Sequence, residues 1–148
     1  MTDRSFVARN DASRERLRAL VASLRPQDLF RETGDGWTIG AVLAHAAFWD
    51  SMVARRWASA LADGFASPVG LPDFIADLVN DSELPTWRAM DGATAAARAI
   101  AAADAVDALI AALPDAAVDA AVAAGMPRVL DRSLHRAAHF DVIDAARA

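Results

Sequence analysis

The chain contains only three histidines, and these are its main candidates for chemistry near neutral pH. His135 and His139 are four residues apart in a segment with helical periodicity. Residues at i and i+4 lie one above the other on one helix face, so both imidazoles can reach a single point, as two nitrogen ligands of a metal ion do. His45 lies inside a second apolar helical segment. Three neutral imidazoles and one water molecule would leave a divalent metal an open coordination position.

The same histidines also have an ordinary structural interpretation. Pairs of histidines at i, i+4 are common on solvated helix faces, and a single histidine on an apolar face is usually a hydrogen-bonded core residue. A His-x-x-x-His pair alone is a motif of low specificity. Spacing therefore leaves both the metal hypothesis and the structural one open.

Composition excludes several other chemistries. The 148 residues include no cysteine, which excludes disulfides, thiolate zinc sites, iron–sulfur clusters and a cysteine nucleophile. The formal charge of −5 argues against a dedicated nucleic-acid binder. No segment approaches the roughly 18 uncharged apolar residues of a membrane span, and the first residues lack the apolar core of a signal peptide. We therefore expect a soluble, cytoplasmic protein.

The elements that must position the histidines are helices, since the chain is rich in alanine and has only 7 glycines and 6 prolines. Periodicity and end signals predict long helices over about 3–24, 38–62, 86–113 and 128–146, and a short helix over 73–80. Thr38 is the predicted N-cap of the second helix. The economical fold is one all-α domain over 1–148, a four-helix bundle. Its connection over 64–85, between the second and third long helices, is long enough to cross over the bundle.

Two acids and a tryptophan are candidates to support the histidines. A ligating histidine normally donates its second nitrogen to a carboxylate or carbonyl. Asp131 and Asp50 lie about one turn from His135 and His45, with solvated surface acids as the alternative interpretation. Trp49 could form the wall of a pocket or pack in the core.

Arginine is the only strong cation of the chain, because lysine is absent. Arg55, Arg56 and Arg88 could bind an anionic thiol or carboxylate substrate through bidentate contacts, with ordinary surface positions as the alternative. The sequence contains no glycine-rich phosphate loop and no serine in a nucleophile-elbow context.

Two segments resemble motifs of a known family, the DinB/YfiT-like proteins. Residues 36–50 read Gly-Trp-Thr-Ile-Gly-Ala-Val-Leu-Ala-His-Ala-Ala-Phe-Trp-Asp, which is similar to the family's second-helix signature of a Gly-Trp-Ser/Thr turn, Leu-Ala-His and an aromatic pair. Residues 129–141 resemble the final-helix pattern with its paired histidines. Asn80, followed by Leu84-Pro85 and Trp87, is similar to a linker pattern of some members. The resemblance covers essentially the whole chain in helix order and length.

This resemblance implies a four-helix bundle with an up-down-down-up arrangement, often as a homodimer. It also implies a divalent metal, commonly zinc or nickel, near one end of the bundle. Carried over residue by residue, His45 would be the ligand from the second helix, and His135 and His139 the pair from the last. No catalytic residue follows from the resemblance. Some members lack the histidines, so membership alone does not settle function.

The leading hypothesis is a metal-binding protein of this family that acts as a thiol-dependent S-transferase or isomerase on a small molecule. The family includes such enzymes, among them a mycothiol-dependent maleylpyruvate isomerase. Because the chain has no cysteine, a low-molecular-weight thiol would have to come from outside. The alternatives are a metal-dependent hydrolase, and a non-catalytic dimeric bundle that binds or sequesters metal. The exposed alanines of the third helix would suit a helix–helix contact between subunits of such a dimer. We expect no nucleic-acid or membrane partner.

Overall fold

Helices make up most of the computed structural model, which describes residues 1–64 and 67–148. The helices are α1 Ser5–Ser23, α2 Ile39–Ala62, α3 Asp73–Ala89, α4 Gly92–Ala111, α5 Asp115–Ala123 and α6 Ser133–Arg147. A short antiparallel hairpin, β1 Glu32–Gly34 and β2 Trp37–Thr38, precedes α2, and 3₁₀ turns lie at Pro26–Phe30 and Pro127–Val129. The prediction of an all-α protein is confirmed. None of the described helices is long and apolar enough to cross a membrane.

The core lies between α2 and α4, which make the most extensive helix contact in the described structure. Ile39 and Leu43 of α2 are fully buried, as are Ala95 and Ala103 of α4. Small side chains allow helix axes to approach closely, so the alanine face of α4 fits against α2. The buried alanines of this face are covered within one chain. The expectation that the exposed alanines of this helix suit a contact between subunits stays a prediction.

The start of α2 is fixed by local sequence. The Thr38 hydroxyl accepts a hydrogen bond from the Ala41 amide at 3.2 Å, so the predicted N-cap is confirmed. The hairpin before it was not predicted. Asp35 and Gly36 both have positive φ, 52° and 78°, as the two central residues of a tight hairpin turn require. This turn places Trp37 at the beginning of α2.

The predicted helix over 86–113 is confirmed over Gly92–Ala111, but its predicted start is wrong, because the chain turns at Met90 between α3 and α4. Asp91 ends the continuity, since its carboxylate accepts from the Thr94 amide at 2.9 Å and caps α4. Pro85 was expected to separate elements but lies inside α3, which also extends well beyond the predicted 73–80. Trp87 is 3% exposed, and its burial holds the last turn of α3 in place despite the proline. Residues 65 and 66 of the predicted connection lie outside the described residues.

The final helix begins at Ser133 and not at the predicted residue 128. The buried Asn10 of α1 defines this start, because its Oδ1 accepts from the amides of Arg132 and Ser133 at 2.8 and 3.2 Å. Its Nδ2 donates to the Leu130 carbonyl at 2.9 Å. A side chain from another helix thus supplies the cap that the local sequence lacks. The segment before it contains α5, to which sequence analysis assigned no element.

We expect the Asn10→Ala variant to lose about 1–3 kcal/mol in the free energy of unfolding, because it leaves buried backbone groups at the start of α6 without partners. Urea unfolding followed by circular dichroism measures this change. The control is Ser13→Ala on the same helix, where we expect a change within about 0.5 kcal/mol. Equal effects of the two substitutions would show that Asn10 does not anchor α6.

Candidate metal centre

The three histidines converge although His45 lies 94 residues before His139. His45 Nε2 is 3.0 Å from His139 Nε2, which is 3.2 Å from His135 Nε2. One ring nitrogen from each residue lies within 4.8 Å of the other two. His45 comes from the middle of α2, and the other two come from successive turns of α6. The cluster is therefore a product of the packing of α2 against α6.

Tryptophans surround the ring of His45. The rings of Trp37 and Trp87 meet it edge to face, with centroids 5.2 and 5.1 Å away. Trp49 lies one turn further along α2, and its Nε1 donates to Asn80 Oδ1 at 2.8 Å. Trp49 is buried and also lines a cavity, so the prediction of core packing and the prediction of a pocket wall are both confirmed. The roles of Trp37 and Trp87 were not predicted, although both residues belong to segments that resemble family motifs.

The surroundings keep the histidines neutral. Burial lowers the pKa of His45 to about 3, and the neighbouring His139 and the charge of Arg132 act in the same direction. Burial is also the main cause of the lowered pKa of His135 and of His139, followed in both by the charge of Arg132. At pH 7 each ring is therefore uncharged and carries one nitrogen lone pair, the form that binds metals.

The contacts within the cluster suit a shared cation better than hydrogen bonds. His139 Nε2 carries either one hydrogen or one lone pair, yet it faces two ring nitrogens. Tetrahedral bonds of 2.0–2.1 Å would place ligand nitrogens about 3.3 Å apart, close to the observed separations. Three imidazoles form a donor set that suits zinc, nickel, copper or iron.

One contact opposes metal binding by His135. Arg132 Nη2 is 3.2 Å from His135 Nδ1, and a guanidinium can only donate. This bond places the ring proton on Nε2, so a metal would require that proton to move or leave. The contact is longer than the 2.8 Å bond from Arg132 Nε to Asp50, which marks it as the weaker of the two.

A buried network of charges lies beneath the cluster. Asp50 accepts from Arg132 Nε at 2.8 Å and from Arg136 Nε at 3.0 Å. Arg136 also forms two bonds to Asp107, at 2.8 and 3.0 Å, and thereby links α6 to α4. Burial raises the pKa of Asp107, while the bonds from Arg136 oppose that shift. These contacts hold α2, α4 and α6 together at the level of the histidines.

Asp50 and Asp131, the two acids expected to accept hydrogen bonds from the histidines, bond to other residues. Asp50 reaches His135 only through Arg132, and Asp131 bonds to Arg9 at 2.7 Å and to Ser133. No carboxylate hydrogen-bonds to a histidine among the described residues. The alternative of solvated acids is also wrong, since Asp50 and Asp131 are 1% and 6% exposed. Sequence spacing could not show this, because the partners of Asp50 lie more than 80 residues away.

A cavity of about 1000 Å³ opens onto the cluster. Its polar lining includes the three histidines, Asn80, three arginines and three acids: Arg56, Arg128, Arg132, Asp35, Asp73 and Asp77. Of the three arginines predicted to bind a substrate, only Arg56 lies here. Arg55 lines a separate cavity, and Arg88 donates to the Gly36 carbonyl. Arg128 and Arg132 were not predicted, because nothing in their local pattern distinguishes them from surface arginines.

The fold is mostly helical and brings three histidines together at the wall of a cavity, which makes the chain a candidate metal-binding protein. A family model described as the DinB superfamily matches residues 9–142, which include all three histidines, and the chain belongs to this superfamily. No curated protein and no solved structure matches the chain. The resemblance identified in the sequence is thereby confirmed.

We expect the Asp50→Asn variant to lose about 3–5 kcal/mol in the free energy of unfolding, because it leaves Arg132 and Arg136 buried with too little negative charge. Thermal and urea unfolding followed by circular dichroism measure the loss. If the loss exceeds the stability of the wild type, the purified variant will be unfolded. The control is Asp144→Asn, which removes an exposed ion pair with Arg16 and should cost at most about 1 kcal/mol. A loss for Asp50→Asn no larger than for the control would contradict the prediction.

Proposed function

We propose that this chain is a metal-dependent protein in which His45, His135 and His139 hold one divalent metal ion, with zinc or nickel as the leading candidates. The observation that supports this most directly is the approach of the three Nε2 atoms, with separations of 3.0 and 3.2 Å on either side of His139. The neutral state of the rings agrees with it.

The cavity gives the proposed centre access to a small molecule. A metal with an open position would lower the pKa of a thiol or water molecule bound beside it and so provide a nucleophile near neutral pH. The chain itself would supply the enclosure. Trp37, Trp49 and Trp87 shield the histidines from water on one side, and Asn80 fixes the orientation of Trp49.

Transfer of an external thiol is the reaction we favour. Among the described residues no carboxylate is hydrogen-bonded to the histidines. A thiol has a pKa of about 8.5, far below that of water, and needs less assistance to lose its proton. Its sulfur would form a bond to an electrophilic carbon of the substrate, the thiol proton would pass to solvent, and the leaving group would depart with the bonding electrons. Hydrolysis is the second candidate, with water in place of the thiol.

We also propose the finer architecture that the resemblance implies. The four helices of an up-down-down-up bundle would be α1, α2, α4 and α6, since α4 and α6 each contact both α1 and α2. The connection over 64–85, which contains most of α3, would then cross the bundle. A homodimer remains a proposal that rests on the resemblance alone.

We expect the protein, purified without a histidine tag, to bind about one equivalent of zinc or nickel per chain. The variants His45→Ala, His135→Ala and His139→Ala should each weaken binding at least about 100-fold, since each removes a direct ligand. Elemental analysis after dialysis and competition with a chromophoric chelator measure stoichiometry and affinity.

The matched control for metal binding is the double variant Asp141→Asn, Asp144→Asn, which removes exposed carboxylates from the same helix and should leave affinity unchanged. The chain has no other histidine, so binding that survives all three substitutions cannot come from imidazoles. No stoichiometric binding of zinc, nickel, manganese or iron by the wild type would refute the proposed centre.

We expect the metal-loaded protein to accelerate attack of a low-molecular-weight thiol on a generic electrophile, with mycothiol, bacillithiol and glutathione as the thiols to compare. The variant His139→Ala should abolish the acceleration together with metal binding. Product formation followed by mass spectrometry measures the transfer. Turnover that needs metal but no thiol would favour hydrolysis. Metal binding without turnover of either kind would favour the non-catalytic alternative.

A further inference from the structure

Unpaired arginines lie at two cavities in the described part of the molecule. The chain has 15 residues of lysine and arginine, all of them arginine. Most form ion pairs with carboxylates. Within the described residues only Arg55, Arg56, Arg98 and Arg128 have no such pair. Arg56 and Arg128 line the cavity of the histidines, whereas Arg55 and Arg98 line a second cavity of about 630 Å³.

Arg56 is held in place but its charge is not neutralised. It is half-buried, and among the described residues its guanidinium makes one hydrogen bond, from Nη2 to the Val69 carbonyl. Burial lowers its pKa, and the positive charge of Arg132 lowers it further, so the two guanidiniums are close enough to repel each other. A half-buried charge without a counter-ion carries a desolvation cost that a bound anion would offset.

Arg128 and Arg132 lie one turn apart on the segment that leads into α6. The Arg128 carbonyl accepts from Arg132 Nη1 at 2.7 Å, which fixes Arg132 against the backbone of its neighbour. The Arg128 side chain is exposed and has no carboxylate partner within the described residues. Its charge is therefore uncompensated at the wall of the cavity.

The acids of the same cavity do not neutralise these arginines. Asp35, Asp73 and Asp77 line it, but none of them forms an ion pair with Arg56 or Arg128. Elsewhere in this chain arginines find a carboxylate readily, even at separations above 100 residues. Arg56 and Arg128 therefore remain without a carboxylate partner among the described residues, although carboxylates line the same cavity.

We propose that Arg56 and Arg128, next to Arg132, bind an anionic group, a carboxylate or a phosphate, on the small molecule that occupies the histidine cavity. Guanidinium groups bind both kinds of anion through paired N–H donors. The inference rests on the proposed function in one respect: the anionic group would belong to the substrate or thiol that reacts at the histidines. It narrows the substrate class to anions that carry a carboxylate or phosphate group for the arginines and a separate reactive group for the histidine site.

The test uses full-length protein freed of metal, titrated at constant ionic strength with malonate, inorganic phosphate and the neutral analogue malonamide. Calorimetry measures the dissociation constants. We expect at least one of the two anions to bind and malonamide not to bind. Arg56→Gln and Arg128→Gln should each weaken that binding about tenfold or more, since each removes charge-assisted hydrogen bonds. The charge-conserving Arg56→Lys should keep part of the affinity.

The matched controls are Arg55→Gln and Arg98→Gln, which remove equally unpaired charges from the other cavity. They should bind the anion like the wild type. Equal weakening in the controls would show that only net charge matters and would overturn the inference, as would the absence of binding by both anions. Binding of phosphate alone or malonate alone supports it and identifies the kind of group.

The anion titrations, taken together with the measurement of metal stoichiometry, separate this inference from the proposed metal centre. If the wild type binds no metal but its anion binding still depends on Arg56 and Arg128, the metal centre is refuted and the anion site stands. If one equivalent of metal binds through the histidines but neither anion binds, the anion site is refuted and the metal centre stands. Circular dichroism of each variant excludes loss of folding as the cause.

Discussion

A single buried carboxylate, Asp50, fixes the relation between the two helices that form the histidine cluster. It lies on α2 and pairs with Arg132 and Arg136, at the start and within α6. Buried charges must stay paired because desolvation costs several kcal/mol per ion. A shift of α6 by one turn along α2 would break both pairs, so the register that satisfies Asp50 is also the one that sets His45 against His139. The network gives geometric specificity, whatever its net contribution to stability.

Part of this arrangement follows from local sequence rules. The spacing of His135 and His139 places them on one face of any helix, and the Thr38 cap needs only its own neighbours in the chain. No local rule brings α2 beside α6. The convergence of all three histidines was therefore available from the sequence only through the resemblance of its two motifs to the DinB/YfiT-like proteins.

Two features that local rules missed depend on tertiary packing. Arg136 has the pattern of a solvated helix residue, yet it is fully buried because Asp50 and Asp107 reach it from 86 and 29 residues away. Pro85 has the pattern of a helix boundary, yet α3 continues through it because Trp87 packs in the core. In both cases a tertiary contact of several kcal/mol outweighs a local preference.

Charge balance connects the proposed metal centre with the proposed anion site. The three histidines are neutral, so a divalent cation bound to them would add its full charge to a cavity already lined by Arg56, Arg128 and Arg132. Repulsion from Arg56 and Arg128, which have no carboxylate partner among the described residues, would weaken the metal site, and an anion bound to them would remove much of that repulsion. The two ligands would then favour each other, and such coupling is reciprocal. One molecule that presents a donor atom to the metal and an anionic group to the arginines would satisfy both halves of the cavity at once.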